Sequence, residues 1–261
     1  MNSILFSFEV PKSLLESSLE FNNFNYFLDI FDDVETESFY QKEKIKKSII
    51  YLDNSLYERN LNNVPFKEMD FFRLARRINS DNTYVMAPDF YEDSFRSLES
   101  LKKYKEFNEF KLIGIPHGKN KRDFIDCLIE MDKILNKNEI IALTAGDSFF
   151  KEISRTEIIK ELIDKNLINR RIHILGLRSP KEILELREVK DYIFSLDTSL
   201  PVISTILNRD IEEVIEENIK PSLTIYEVYN ECPEVDLDLL QRNTSKFKSY
   251  LERKHSKSLL S

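Results

Sequence analysis

Eight short apolar runs recur along the chain, and most are followed by a segment with apolar residues at three- and four-residue spacing. The runs lie at residues 4–8, 26–31, 48–52, 84–87, 111–115, 140–144, 172–175 and 192–196. Most are continuous rather than alternating, as strands buried on both faces require. Amphipathic helices are predicted over 66–78, 94–104, 121–135, 155–165 and 180–189. Ser154 and the Ser179-Pro180 pair supply helix-start chemistry before two of them. Such alternation implies parallel strands joined by right-handed crossovers. Eight strands suit an α/β fold, an irregular (β/α)8 TIM-type barrel over residues 1–208; an open doubly wound sheet fits the same pattern. From residue 209 the pattern turns helical. I-E-E-V-I-E-E-N-I is followed by a break at Cys232-Pro233 and a helix over 237–254. Residues 209–261 are therefore expected to form a helical extension packed on the barrel.

Several runs end in polar residues. Asp53 lies in Y-L-D-N-S-L-Y, Asp89 closes V-M-A-P-D, His117 lies in L-I-G-I-P-H-G, Asp147 closes I-A-L-T-A-G-D, and Asp197 lies in D-Y-I-F-S-L-D-T-S-L-P. A carboxylate at the tip of a buried strand is costly to place and marks a candidate functional position. Polar tips gathered at one end of successive strands are how a βα-barrel builds an active site. Each tip also has a plain structural use, as a helix cap for Asp89, Asp147 and Asp197 or as a turn residue for Asp53.

The formal net charge of −8 argues against wholesale coating of a phosphate backbone. Basic residues cluster at 42–47, 73–77, 117–122 and from Lys246 onward. These clusters read either as a local nucleic-acid track or as solvated helix faces balanced by nearby acids. No apolar stretch is long enough to span a membrane, and the first residues read as a strand rather than a signal peptide. The two cysteines, Cys127 and Cys232, are far apart and lack a partner motif, which points to a reducing cytoplasm. His173 and His255 show no metal-ligand spacing and are assigned no role; no cofactor is expected.

Taken in order, the strand tips resemble those of the tRNA-guanine transglycosylase superfamily, including its DpdA-like DNA-guanine transglycosylases. The resemblance spans roughly residues 48–201. Asp53-Asn54-Ser55-Leu56-Tyr57 stands where that family has D-S-G-G-F/Y, and Val85-Met86-Ala87-Pro88-Asp89 resembles V-M-A-F-D. Gly114-Ile115-Pro116-His117-Gly118 resembles G-I-V-Q-G, and Asp197-Thr198-Ser199-Leu200-Pro201 resembles D-C-V-L-P. Softer matches are Leu143-Thr144-Ala145-Gly146-Asp147 with L-A-V-G-E, and Leu175-Gly176 with M-G. The chain departs from the family at Ser55 and Leu56, which replace paired glycines, and at His117, which replaces a Gln. The C-x-C-x-x-C…H zinc motif that follows the last of these tips in tRNA-type members has no counterpart, which favours DNA over tRNA.

The resemblance implies exchange of guanine in nucleic acid for a 7-deazaguanine base of preQ0 type. It makes Asp197 the nucleophile on C1′ and Asp53 the general acid and base. It makes Asp89 the reader of the guanine edge, with His117 and Gly118 on the O6 side. Leu143 and Asp147 are expected near the 7-substituent, and Tyr57 and Leu175 are expected to sandwich the ring. The target base must be flipped from a duplex or come from a single strand. A tRNA substrate, or an inactive barrel that binds nucleic acid or a catalytic partner, remains the alternative. A phage origin, with a host cytoplasm as location, accompanies the DNA-modifying branch.

Overall fold

Each of the eight apolar runs overlaps a strand. The computed structural model describes residues 3–252 except 169, 171, 178 and 232; Cys232, His255 and the end of the last basic cluster lie outside the described residues. The strands are β1 (Leu5–Phe8), β2 (Asn25–Leu28), β3 (Ile50–Asp53), β4 (Thr83–Met86), β5 (Lys111–Gly114), β6 (Ile140–Leu143), β7 (Ile172–Ile174) and β8 (Ile193–Thr198). They pair in the order β1-β8-β7-β6-β5-β4-β3-β2, and every ladder is parallel. The result is a nearly closed (β/α)8 TIM-type barrel rather than an open doubly wound sheet. The seam between β1 and β2 is bridged by asparagine side chains. Asn23 Oδ1 accepts from Phe6 N–H at 3.0 Å and Asn22 Oδ1 from Phe8 N–H at 2.7 Å, while Asn22 Nδ2 donates to the Phe8 carbonyl at 3.1 Å. These amides satisfy backbone groups that a neighbouring strand would otherwise pair.

Between the strands run α1 (Leu15–Ser18), α2 (Val34–Ile45), α3 (Leu56–Leu61), α4 (Glu68–Ile78), α5 (Ser94–Phe107), α6 (Lys121–Ile134), α7 (Arg155–Asp164) and α8 (Glu182–Leu186). After β8 come α9 (Leu200–Ile206), α10 (Ile211–Glu216), α11 (Ile225–Val228) and α12 (Leu237–Glu252). Helix α4 shows why they dock: Phe71, Leu74, Ala75 and Ile78 recur at helical spacing and are buried together. Ser154 caps α7 in a reciprocal box with Glu157, an arrangement worth ~1 kcal/mol. Ser179-Pro180 does not cap α8. Its carbonyls take part in the preceding turn, where Ser179 O accepts from Glu182 N–H at 3.1 Å, and the helix begins at Glu182 without a side-chain cap.

Strand parity separates two cores. Outward residues such as Leu52, Val85, Leu112, Ile141, Leu143, Ile174 and Leu196 join the helices. Inward residues such as Tyr51, Met86, Ile113, Ile115, Ile140 and Ala142 fill the barrel. In β8 that parity is reset once. Ile172 pairs with Ile193 but His173 pairs with Ser195, so Phe194 is an extra residue. Phe194 packs on the barrel core while Ile193 and Leu196 face the helices. The bulge turns both Ser195 and Asp197 inward, where unbroken alternation from Ile193 would point them at the helices.

The segment after β8 shares the main core. Phe247 of α12 packs edge-on against Phe6 and Phe8 of β1, at 6.4 and 5.6 Å between ring centres. Ile211, Val214, Leu240 and Leu251 belong to the same buried cluster. Among the described residues no helix is long and apolar enough to cross a membrane.

Candidate active site at the barrel mouth

Asp197 is the last residue but one of β8, at the carboxyl side of the barrel, and is almost fully buried. Both of its oxygens accept from the Gly176 N–H, at 3.2 and 3.1 Å. Gly176 follows β7 with φ of +58°, a conformation suited to glycine, and nothing crowds the place a Cβ would take. Arg155, fully buried on α7, fixes that turn: its guanidinium donates to the carbonyls of Leu143, Leu175 and Gly176 and pairs with Glu182. The ring of His173, inside β7, presents Nε2 2.9 Å from Asp197 Oδ1, off the axis that a hydrogen bond needs. Its Nδ1 lies 2.9 Å from Ser195 Oγ, which in turn lies 3.3 Å from the Tyr51 hydroxyl. The bulge therefore brings both Asp197 and the Ser195 that orients His173 into the mouth.

Asp53 ends β3 and meets the same cluster through Tyr26. The Tyr26 hydroxyl donates to Asp53 Oδ2, and the Tyr26 ring stacks 6.4 Å from that of His173. Burial and the charge of Glu58 push Asp53 well above the usual carboxylate range, although hydrogen bonds from Tyr26 and the Ser55 N–H oppose this. Glu9, just beyond β1, is raised in the same way by burial, by the charge of Asp197 and by a hydrogen bond shared with it. Glu58 of α3 is pushed up to about 7, chiefly by burial. Tyr26 is raised by burial and by the charges of Asp53, Asp197 and Glu9. The mouth thus gathers acids that favour their neutral forms.

Ser55 adopts the left-handed conformation, φ 52° and ψ 29°. A serine takes this turn at ~1–2 kcal/mol, and its Oγ accepts from the Ile30 N–H at 3.2 Å. The backbone path open to a glycine at this position is retained without one.

A second group flanks this one across β4, β5 and β6. His117 is buried between two carboxylates, with Nε2 2.6 Å from Asp89 Oδ2 and Nδ1 2.7 Å from Asp147 Oδ1. Burial alone would push the imidazole down; hydrogen bonds to Asp147 and Asp89 outweigh it and raise the ring to about 9. Asp147 is fully enclosed and also accepts from the N–H groups of Gly118 and Glu92. Asp89 remains partly open, with Asn54 Nδ2 on its other oxygen at 3.0 Å. Tyr91, half exposed, stands edge-on 6.3 Å from the His117 ring.

Asp53, Asp197, Asp89 and His117 are therefore brought to one end of the barrel, while other sequence-predicted residues stand apart. Leu143 has outward parity and packs among the helices, with its carbonyl taken by Arg155 and the Leu175 N–H, so it does not line the mouth. Asp147 is enclosed, with its oxygens on His117, Gly118 and Glu92. Gly118 is buried against α6, where a Cβ would come within 2.3 Å of the Phe124 nitrogen. Leu175 packs on the barrel core near the mouth. Tyr57 is 64% exposed on α3 and makes no ring contact among the described residues.

Sequence reasoning left His173 without a role and passed over Glu9, Tyr26, Glu58 and Arg155. Inward parity on β2 and β7 was the available signal for Tyr26 and His173. The basic clusters pair with acids, as Arg73 with Asp70, Arg76 with Glu109, Arg77 with Glu37 and Lys121 with Glu161. Among the described residues no three His, Cys, Asp or Glu side chains are grouped to hold a metal ion. No protein-family model matches the sequence, and no curated protein matches it.

Proposed function

We propose that the chain is a guanine transglycosylase that exchanges guanine in DNA for a 7-deazaguanine base of preQ0 type. The observation that carries the reading is the contrast between Asp53 and Asp197 at one mouth. Asp53 is raised well above the carboxylate range and bonded to a tyrosine. Asp197 is held by the Gly176 N–H and faced by His173. Two acids in unlike settings supply a proton donor and a nucleophile. The ordered strand-tip motifs and the lack of a zinc motif support the substrate class.

Asp197 attacks C1′ as the bond to guanine breaks, giving a glycosyl ester; Asp53 passes its proton to the departing base. Asp53 then takes a proton from the incoming base, whose nitrogen attacks C1′ and expels Asp197. Two inversions give net retention. Asp89, the carboxylate at the opening, has lone pairs left to accept from N1–H and the amino group of guanine. His117 keeps that carboxylate in place from behind.

Incubating the protein with labelled guanine or preQ0 and either DNA or tRNA tests the reading. Label enters DNA, Asp197→Asn abolishes entry, and Asp53→Asn lowers it by ~10²–10⁴. Label entering tRNA alone moves the substrate. No incorporation into either overturns the reading and leaves a nucleic-acid-binding or partner-binding barrel.

A further inference from the structure

We infer that Glu9 is a positioning residue for Asp197, its carboxyl donating a hydrogen bond from the end of β1 to one oxygen of the nucleophile. The inference rests on the reading of Asp197 given above and adds a group that no strand-tip motif contains. The placement is set by backbone. β1 and β8 run in register with Ser7 opposite Asp197 and Phe8 opposite Thr198, and the Glu9 N–H donates to the Thr198 carbonyl at 3.2 Å. Glu9 thus lies just past β1, two residues beyond the partner of Asp197, so its side chain projects from the same inward face within interaction range of that carboxylate.

Two carboxyl groups share a hydrogen bond only when one of them holds the proton. Asp197 already accepts from the Gly176 N–H, just past β7, on both of its oxygens. Among the described residues no N–H donor or cation is paired with the Glu9 carboxyl. The groups acting most strongly on it are acids: Asp197 on β8, Glu58 on α3 and Asp53 on β3. The phenols of Tyr26 on β2 and Tyr40 on α2 also lie within its field. Lys12, the nearest cation in sequence, is taken by Asp33 and Glu35. Burial and these charges raise Glu9 well above the usual carboxylate range, and the Gly176 N–H on both Asp197 oxygens favours Glu9 as the partner that carries the shared proton.

A neutral donor on one oxygen leaves a lone pair on the other to attack C1′. When the incoming base expels Asp197, negative charge returns to that carboxylate and the waiting donor stabilises it. The proton never leaves Glu9, so the reaction's proton count is unchanged. Ionised Glu9 would lose the bond and set a second anion beside the nucleophile, which predicts an alkaline limb of activity that belongs to Glu9.

Two measurements decide the matter. The first needs no turnover: the carboxyl carbon of Glu9 is followed by NMR against pH in the wild-type protein and in Asp197→Asn. A neutral acid at pH 7 whose midpoint falls when Asp197 is replaced supports the inference. A carboxylate at pH 7 overturns it and leaves the role of Asp197 standing. The second is exchange into DNA across pH. Glu9→Ala loses about 10- to 100-fold, the range for a hydrogen bond to a charged group. Glu9→Gln, which keeps a neutral donor of the same length, recovers most of that loss, and its alkaline limb disappears. A Gln variant as poor as Ala, or one that keeps the limb, overturns the inference. If the wild type exchanges nothing, the proposed function and the positioning role fall together, while the carbon signal still reports on the proton.

Discussion

At pH 6 the imidazole of His117 is protonated whether or not the chain is folded; at pH 8 only the folded chain keeps the proton. The ring lies 2.6 Å from one carboxylate and 2.7 Å from another, which raise it from 6.5 to about 9 against the effect of burial. Folding therefore takes up a proton between those two values. The stability it contributes is complete below about pH 6.5 and is lost as pH rises through about 9. With ~1.4 kcal/mol for each pH unit between them, the contribution is on the order of 3 kcal/mol. Its side chain is only 4% exposed, so solvent screens little of this. Urea unfolding of the wild-type protein and His117→Gln from pH 6 to 10 measures it. The wild type loses about 3 kcal/mol more than the variant across that range. Glu9, Asp53 and Glu58 also titrate differently in the folded chain, but they are present in both proteins and largely cancel in the difference. Parallel pH curves, or a ring proton signal of His117 with a midpoint near 6.5, would refute the view that this histidine is a cation clasped between Asp89 and Asp147.

Three further outcomes follow from packing. Arg155→Met removes the guanidinium that pairs with Glu182 and holds the Leu175 and Gly176 carbonyls, and unfolding in urea should come easier by about 3–5 kcal/mol; unchanged stability would show that the buried pair holds nothing in place. Phe247→Ala empties the space between α12 and β1 and costs about 3–5 kcal/mol. A separate, early transition for the C-terminal helices in place of one lowered transition would show that they do not share the barrel core. Gly118→Ala drives a methyl group into the Phe124 backbone, so its Tm falls; a Tm equal to that of wild type would show that the turn has room to shift.

The barrel was legible because its strands are buried on both faces, and continuous apolar runs such as I-I-A-L record that directly. Helix α2 escaped notice because the side chains it buries, Thr36, Phe39, Tyr40 and Glu43, are half polar, while the apolar Val34 and Ile45 are exposed. The expected strand at 26–31 stops at Leu28, where Asp29–Phe31 tightens into a 3-10 turn. At the mouth the acidic tips were readable one by one, and their partners were not. Asp197 faces inward only because of the extra residue in β8, and no count along the sequence reveals a bulge. Glu9 looked like the end of a first strand; its meaning depends on β8, nearly 190 residues away, lying beside it. Leu143 is the opposite case, since counting by two from the inward Ile140 already turns it toward the helices.

The β1–β2 seam gives the ring an uneven stiffness. Seven boundaries between strands are parallel ladders, whereas this one depends largely on two asparagine amides that can swing away and return while the ladders stay intact. Solvent should reach the amides of Phe6 and Phe8 sooner than those of the central strands. The softest wall of the cylinder thus stands between Glu9 and Tyr26, and any molecule that settles there would be felt first as a quieting of that wall.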